Sequence, residues 1–107
     1  MSLVSVYVVF ADAAEAERIG RAVVEEKLAA CINILGTCRS IYRWQGKVEE
    51  AEEVPAILKT ESGKAEALIE RIAGLHSYEV PCITVTSIGR LLPSYADWVQ
   101  ETVNGLE

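Results

Sequence analysis

An α+β sandwich built on a split β-α-β repeat is the fold this sequence predicts, and three observations predict it. The apolar patterning runs strand, helix, strand, strand, helix, strand and then a final helix. The second and third strands form an unusually long hairpin turning at Gln45-Gly46. No linker or low-complexity segment interrupts residues 1–107, so one domain is expected.

The first strand, Leu3 to Phe10, is rich in Val, Tyr and Phe with almost no polar break, which is the pattern of a central strand covered on both faces. Asp12 followed three residues later by Glu15 gives a capping-box-like helix start. Ala16, Ile19, Gly20, Val23, Val24 and Leu28 then share one helical face, while Glu17, Arg18, Arg21, Glu25 and Glu26 occupy the other. That helix is expected to run through Lys27-Leu28-Ala29-Ala30 into an extended stretch from Cys31 to Trp44, which returns to Thr60.

At about 3.3 Å per residue such a strand reaches roughly 46 Å, against a diameter of about 34 Å for a compact domain of this size. An arm that outreaches its own body needs a partner to cover it, which predicts self-association. Gly36 is expected to mark a bulge or bend that shortens this reach. With Gln45 and Gly46 as the central turn residues, Trp44 faces Lys47, Tyr42 faces Glu49, Ile41 faces Glu50 and Arg39 faces Glu52. Pro55 cannot donate to a ladder, so the returning strand is an edge or is bulged there.

Ser62 is placed to cap a second helix whose Ala65, Leu68, Ile69 and Ile72 repeat at helical spacing, and which ends near Gly74 to His76. Pro81 introduces a strand from Cys82 to Ile88, stopped by Gly89. Ser94 and Asp97 begin a last helix presenting Tyr95, Trp98, Val99 and Val103. This order is that of a ferredoxin-like sandwich with an added C-terminal helix.

Composition narrows the function classes. A net charge of −6 repels a phosphate backbone, so nucleic acid is excluded as an expected partner. No run of about 18 apolar residues is present, which excludes a membrane-spanning helix, and with no secretory pattern at the N-terminus the expected location is cytoplasmic. Cys31, Cys38 and Cys82 form no C-x-x-C pair, which fits a reducing compartment and small buried residues. No nucleophile elbow, phosphate-binding loop or dinucleotide-binding glycine pattern occurs.

The segments Leu28-Ala-Ala-Cys-Ile-Asn-Ile34, Ser40-Ile-Tyr-Arg-Trp-Gln-Gly-Lys47, Leu58-Lys-Thr60 and His76-Ser-Tyr-Glu-Val-Pro81 together resemble the CutA family of divalent-cation tolerance proteins. The resemblance spans essentially the whole chain. It implies a ferredoxin-like homotrimer whose hairpin edges continue neighbouring sheets, a kinship with the PII signal proteins, and a link to copper and other divalent metals. Two positions depart from the family pattern: Ser77 stands where the family commonly has Pro, and Val8 stands where a proposed copper site uses a first-strand cysteine.

Each candidate residue has a functional and a structural reading. His76 serves either as a copper ligand, with Glu79 and Cys31, or as a helix-terminal structural residue favoured in its charged form by the helix dipole. Cys31 serves otherwise as a small packing residue, and Glu79 as a solvated loop carboxylate. Without the strand-one thiol, weak copper binding is expected. Lys59 either aims an ammonium into a pocket between subunits or guards a strand edge. Tyr42 and Trp44, on one strand face with Ser40, either pack on a neighbouring subunit or join Tyr78 in lining a small-molecule pocket of the PII type. The run Glu49, Glu50, Glu52 and Glu53 reads as a solvated strand face, or as a field that gathers hard divalent cations. A non-enzymatic metal-tolerance protein is the leading expectation, followed by a signalling module that binds a small molecule at subunit interfaces, by a stable scaffold for protein recruitment, and last by an unidentified enzyme.

Overall fold

The computed structural model of the chain describes residues 2–105. Its elements are β1 (Leu3–Phe10), α1 (Ala13–Glu25), β2 (Cys31–Ile34), β3 (Cys38–Trp44), β4 (Lys47–Glu61), a 3-10 turn (Ser62–Lys64), α2 (Ala65–Leu75), β5 (Ile83–Ser87) and α3 (Pro93–Val103). All pairings are antiparallel in the order β2-β4-β1-β5, with β3 also paired to β4. Because β4 lies between β1 and β2, the β1-α1-β2 unit is split, as the element order predicts.

β1 is central in the ladder but is not covered on both faces. Val4, Val6, Val8 and Phe10 point toward the helices and join Ala56, Leu58, Ile19, Val23, Leu68 and Ile72 in the main core, each sealed or nearly sealed from water. Leu3, Ser5, Tyr7 and Val9 alternate to the other side, where α3 covers only the Leu3 end and Tyr7 stays 38% exposed. Its sequence resembles that of a doubly covered strand because, apart from Ser5, the residues of the second face are themselves apolar or aromatic. A second cluster, Leu3, Ala30, Val99 and Val103, lies under α3.

The long second strand is two strands. Ile34 pairs with Ala56 and Cys38 with Glu53, so three residues of the outgoing strand oppose two of β4, a bulge centred on Gly36. Pro55 sits opposite that bulge: its carbonyl accepts from the Leu35 N–H (2.9 Å), and the donor it lacks falls where the ladder is already interrupted. The hairpin register matches the expected one, Trp44 with Lys47 through Arg39 with Glu52. Gln45 and Gly46 both have positive φ, 50° and 82°, the turn whose twist suits a two-residue hairpin. The arm stretches the chain to 46 × 26 × 23 Å.

Two helix boundaries differ from expectation. α1 ends at Glu25 because Lys27 adopts a left-handed φ of 61°. The Leu28 N–H then donates to Val23 O and the Lys27 N–H to Val24 O, a Schellman closure normally made with glycine. Ser62 does not cap α2. It lies in the 3-10 turn, and its hydroxyl bonds Ser2 Oγ at 3.0 Å. α1 crosses β2 closely: a Cβ on Gly20 would sit 2.6 Å from Ile32 Cδ1, so a larger residue there has to displace the Ile32 side chain.

Candidate functional site

The open sheet face and one face of the hairpin line a cleft of about 670 Å³. The alternation of β3 and β4 decides its lining. Along β3, Ser40, Tyr42 and Trp44 share one face, and the register puts Glu49 opposite Tyr42 and Glu53 opposite Cys38 on that same face. β1 adds Tyr7 and Val9, and the loop after α2 adds Tyr78, Glu79, Val80 and Cys82. The acidic run is therefore not one solvated surface: Glu49 and Glu53 look into the cleft, whereas Glu50 and Glu52 lie on the reverse face, where Glu50 is 3.6 Å from Arg39.

A buried polar network positions the loop that carries Tyr78 and Glu79. Asp12 caps α1 by accepting from the Glu15 N–H (2.8 Å). The Glu15 carboxylate accepts from the Ala11 N–H (2.9 Å) through Oε1 and from the Ser77 N–H (2.8 Å) through Oε2. Burial pushes its pKa up, but hydrogen bonds from the Ser77 side chain and from the Ala11 and Ser77 N–H groups outweigh it, so the carboxyl titrates below its usual 4.5.

The departure from the family pattern at Ser77 now has a physical reading. Its N–H is a donor to Glu15, and proline has none.

His76 closes α2 with an extended ψ of 144°, and its imidazole is sealed from solvent. Nδ1 accepts from the Tyr78 N–H (3.0 Å), which leaves the proton on Nε2 to donate to the Val9 carbonyl (2.9 Å). The ring stacks on Phe10 with 5.4 Å between centroids. This network assigns the neutral tautomer, in place of the charged form expected from the helix dipole, because β1 and the loop engage both nitrogens. On the other side of the loop the Tyr78 hydroxyl donates to Glu53 Oε2 (2.7 Å), and burial followed by the Glu53 carboxylate raises its pKa well above 10. Glu53 itself is only 8% exposed.

The seven candidate residues separate into two groups. Tyr42, Trp44, Tyr78 and Glu79 meet in the cleft. His76, Cys31 and Lys59 do not line it. His76 lies behind the loop, and Cys31 pairs across from Lys59 near α3, with its Sγ 3.6 Å from the Tyr95 hydroxyl. Burial and that thiol push the Tyr95 pKa up to about 12. Among the described residues no three of His, Cys, Asp and Glu come together to hold a metal ion, so the expected His76, Glu79 and Cys31 set is not assembled within one chain. The physical reason is that His76 is committed to backbone partners and Cys31 lies on a different strand segment. Tyr7 and Cys82 were not foreseen as site residues, and Glu53 was foreseen only as one of the acidic run. Period-two counting of the acidic run could have found Glu53, whereas Tyr7 and Cys82 depend on strand pairing.

Fold and cleft together define a class: a ferredoxin-like α+β sandwich with a projecting hairpin and an aromatic, acidic cleft on the uncovered sheet face. The chain belongs to the CutA1 divalent ion tolerance protein family, whose model matches residues 4–102. It is 41% identical to the divalent-cation tolerance protein CutA of Archaeoglobus fulgidus, over 92% of this chain and 95% of that one. It is 44% identical to its namesake in Thermus thermophilus, over 80% and 84% of the two chains. Among solved structures, the A. fulgidus protein, described as a periplasmic divalent cation tolerance protein, superposes with a TM-score of 0.92 at 40% identity, covering 94% of this chain and 98% of that one.

Proposed function

We propose that this chain acts, without catalysis, in tolerance of divalent cations, copper foremost, as a homotrimer that binds the ion weakly at the open sheet face. The observation that carries the reading is the makeup of the cleft. Glu49, Glu53, Glu79 and the Cys82 thiol surround it, and no Lys, Arg or His is among its described lining. Carboxylates attract divalent cations generally, and a thiolate adds softness that favours copper. A single chain offers no complete donor set, so a neighbouring copy supplies the remaining ligands. The exposed arm supports that assembly, with Ile41 64% and Val48 66% exposed on its reverse face. The same lining disfavours a phosphate-bearing signalling ligand, which needs cationic partners. Three free cysteines support a reducing compartment, although the A. fulgidus relative is described as periplasmic; fractionation of the native host tests this.

The test is a thermal-shift titration with Cu²⁺, Zn²⁺ and Mg²⁺ on the wild type, Cys82→Ser and His76→Gln, since a ligand of the native state raises its melting temperature. Copper should stabilise the wild type most, and Cys82→Ser should reduce that shift. A shift for no metal at millimolar concentration, or a copper shift that survives Cys82→Ser and vanishes in His76→Gln, overturns the site. Light scattering that returns 11.7 kDa overturns the assembly.

A further inference from the structure

The cleft holds more aromatic surface than a metal ion uses, and we infer that it is a binding site for an organic ammonium ion, an alkylated amine whose cationic head sits against Tyr42, Trp44 and Tyr78 with its charge balanced by Glu49, Glu53 and Glu79. Four observations converge on this ligand class.

The volume of about 670 Å³ falls within the range of small-molecule sites and far exceeds that of a hydrated metal ion. Four aromatic side chains, Tyr7, Tyr42, Trp44 and Tyr78, contribute to the wall, and ring faces attract a weakly hydrated cation through their quadrupoles. The charge of the described lining is of one sign: three carboxylates and no cationic side chain, so an anion is repelled and a neutral guest gains nothing from the field. The wall is also held in place before any ligand arrives. Tyr78 is fixed at both ends, by its N–H on His76 Nδ1 and its hydroxyl on Glu53, and the Glu15 clamp on Ser77 anchors the same loop. A preformed site loses less ordering entropy on binding.

This inference shares the cleft and its carboxylates with the metal reading and differs in what each ligand adds: the ammonium adds the ring faces of Tyr42, Trp44 and Tyr78, and copper adds the Cys82 thiol, so Trp44→Leu should weaken choline more than copper and Cys82→Ser copper more than choline.

The experiment compares choline with 3,3-dimethylbutan-1-ol, which replaces the quaternary nitrogen by carbon and keeps the shape. Binding to the assembled wild-type protein is read by calorimetry and by tryptophan fluorescence in a Trp98→Phe background, which leaves Trp44 as the reporter. Choline is expected to bind with a millimolar or tighter Kd and to change Trp44 emission, and the neutral isostere is expected to bind at least tenfold more weakly. Trp44→Leu should weaken choline binding at least tenfold and Glu49→Gln about threefold, with far-ultraviolet circular dichroism confirming that both variants are folded. Choline binding should also weaken as salt is raised. Equal binding of choline and its isostere, binding unaffected by Trp44→Leu, or no binding of choline at 20 times the expected millimolar Kd (on the order of 20 mM) overturns the inference.

Discussion

On the helix side of the sheet, Val6, Val8, Phe10 and Leu58 are sealed from solvent, whereas one residue along the same strands Tyr7 keeps 38% exposure and Trp44, farther out on the arm, keeps the same. One face is a completed core, and the other, beyond the end that α3 covers, is an apolar and acidic surface open to solvent. Burial of a large apolar side chain stabilises by about 1.5–3 kcal/mol, so the helix face holds the monomer together and the open face is left to bind something else. Stability and function are divided between the two sides of a sheet only one side chain thick.

That division is open to attack from both sides. Phe10→Ala should have the largest effect, a loss of about 3–5 kcal/mol, because it empties a fully buried position and removes the ring on which His76 stacks. Chemical denaturation measures it, and a loss below about 1 kcal/mol would place the core elsewhere.

Trp44→Ala on the open face should leave the secondary structure intact and lower the stability of the assembly by roughly 2 kcal/mol per chain. Melting over a concentration series separates assembly from folding. A concentration-independent melt equal to that of the wild type would show that no partner covers the arm.

Ser77→Pro tests the clamp between α1 and the loop of the cleft. The extended His76 backbone already suits a following proline, which by itself favours the change by about 0.4–1 kcal/mol. The lost N–H to a charged, buried carboxylate costs about 1.5–3 kcal/mol, so net destabilisation is expected. Hydrogen exchange at Tyr78 would report it, and unchanged protection would make the Glu15 bond unimportant.

The pH dependence follows the same group. The folded-state pKa of Glu15 is depressed, so its contribution is fully present above the usual 4.5 and is lost as pH falls below that value through the folded one. At the alkaline end Tyr78 is raised, so its contribution is present below pH 10 and declines above it. Denaturation at pH 3, 7 and 11 checks both directions in wild type, Glu15→Gln and Tyr78→Phe.

The smallest change expected is a gain. Lys27 has a φ of 61° in a Schellman closure, so Lys27→Gly should raise stability by about 1 kcal/mol, measured as a shift in denaturation midpoint. A loss would mean that the side chain makes an unrecognised contact.

Much of this molecule was legible in its residues. The order of elements, the Asp12 cap, the hairpin register from Trp44 to Arg39 and the bulge at Gly36 all rest on local spacing and turn chemistry, which act between near neighbours in the chain. That Tyr42 and Trp44 share a strand face and Tyr78 and Glu79 a loop was legible for the same reason, and the structure brings all four to the lining of one cleft. What local spacing could not show was that β1 is covered on its second face only at the Leu3 end, since an apolar residue awaiting a partner and an apolar residue in a core are written alike.

Tertiary structure alone decided where the polar groups spend their hydrogen bonds. It turned His76 away from a metal and onto Val9 and Tyr78, committed Ser77 to Glu15 across the gap between the two helices, and left Thr60 Oγ1 buried with no partner among the described residues. It also brought Tyr7 and Cys82 to the same cleft through strand pairing over long sequence separations. Sequence spacing determines which side of a helix or strand a residue occupies, because the backbone periods are set by short-range sterics. Which distant group meets it there depends on how the elements pack, and only the assembled fold specifies that.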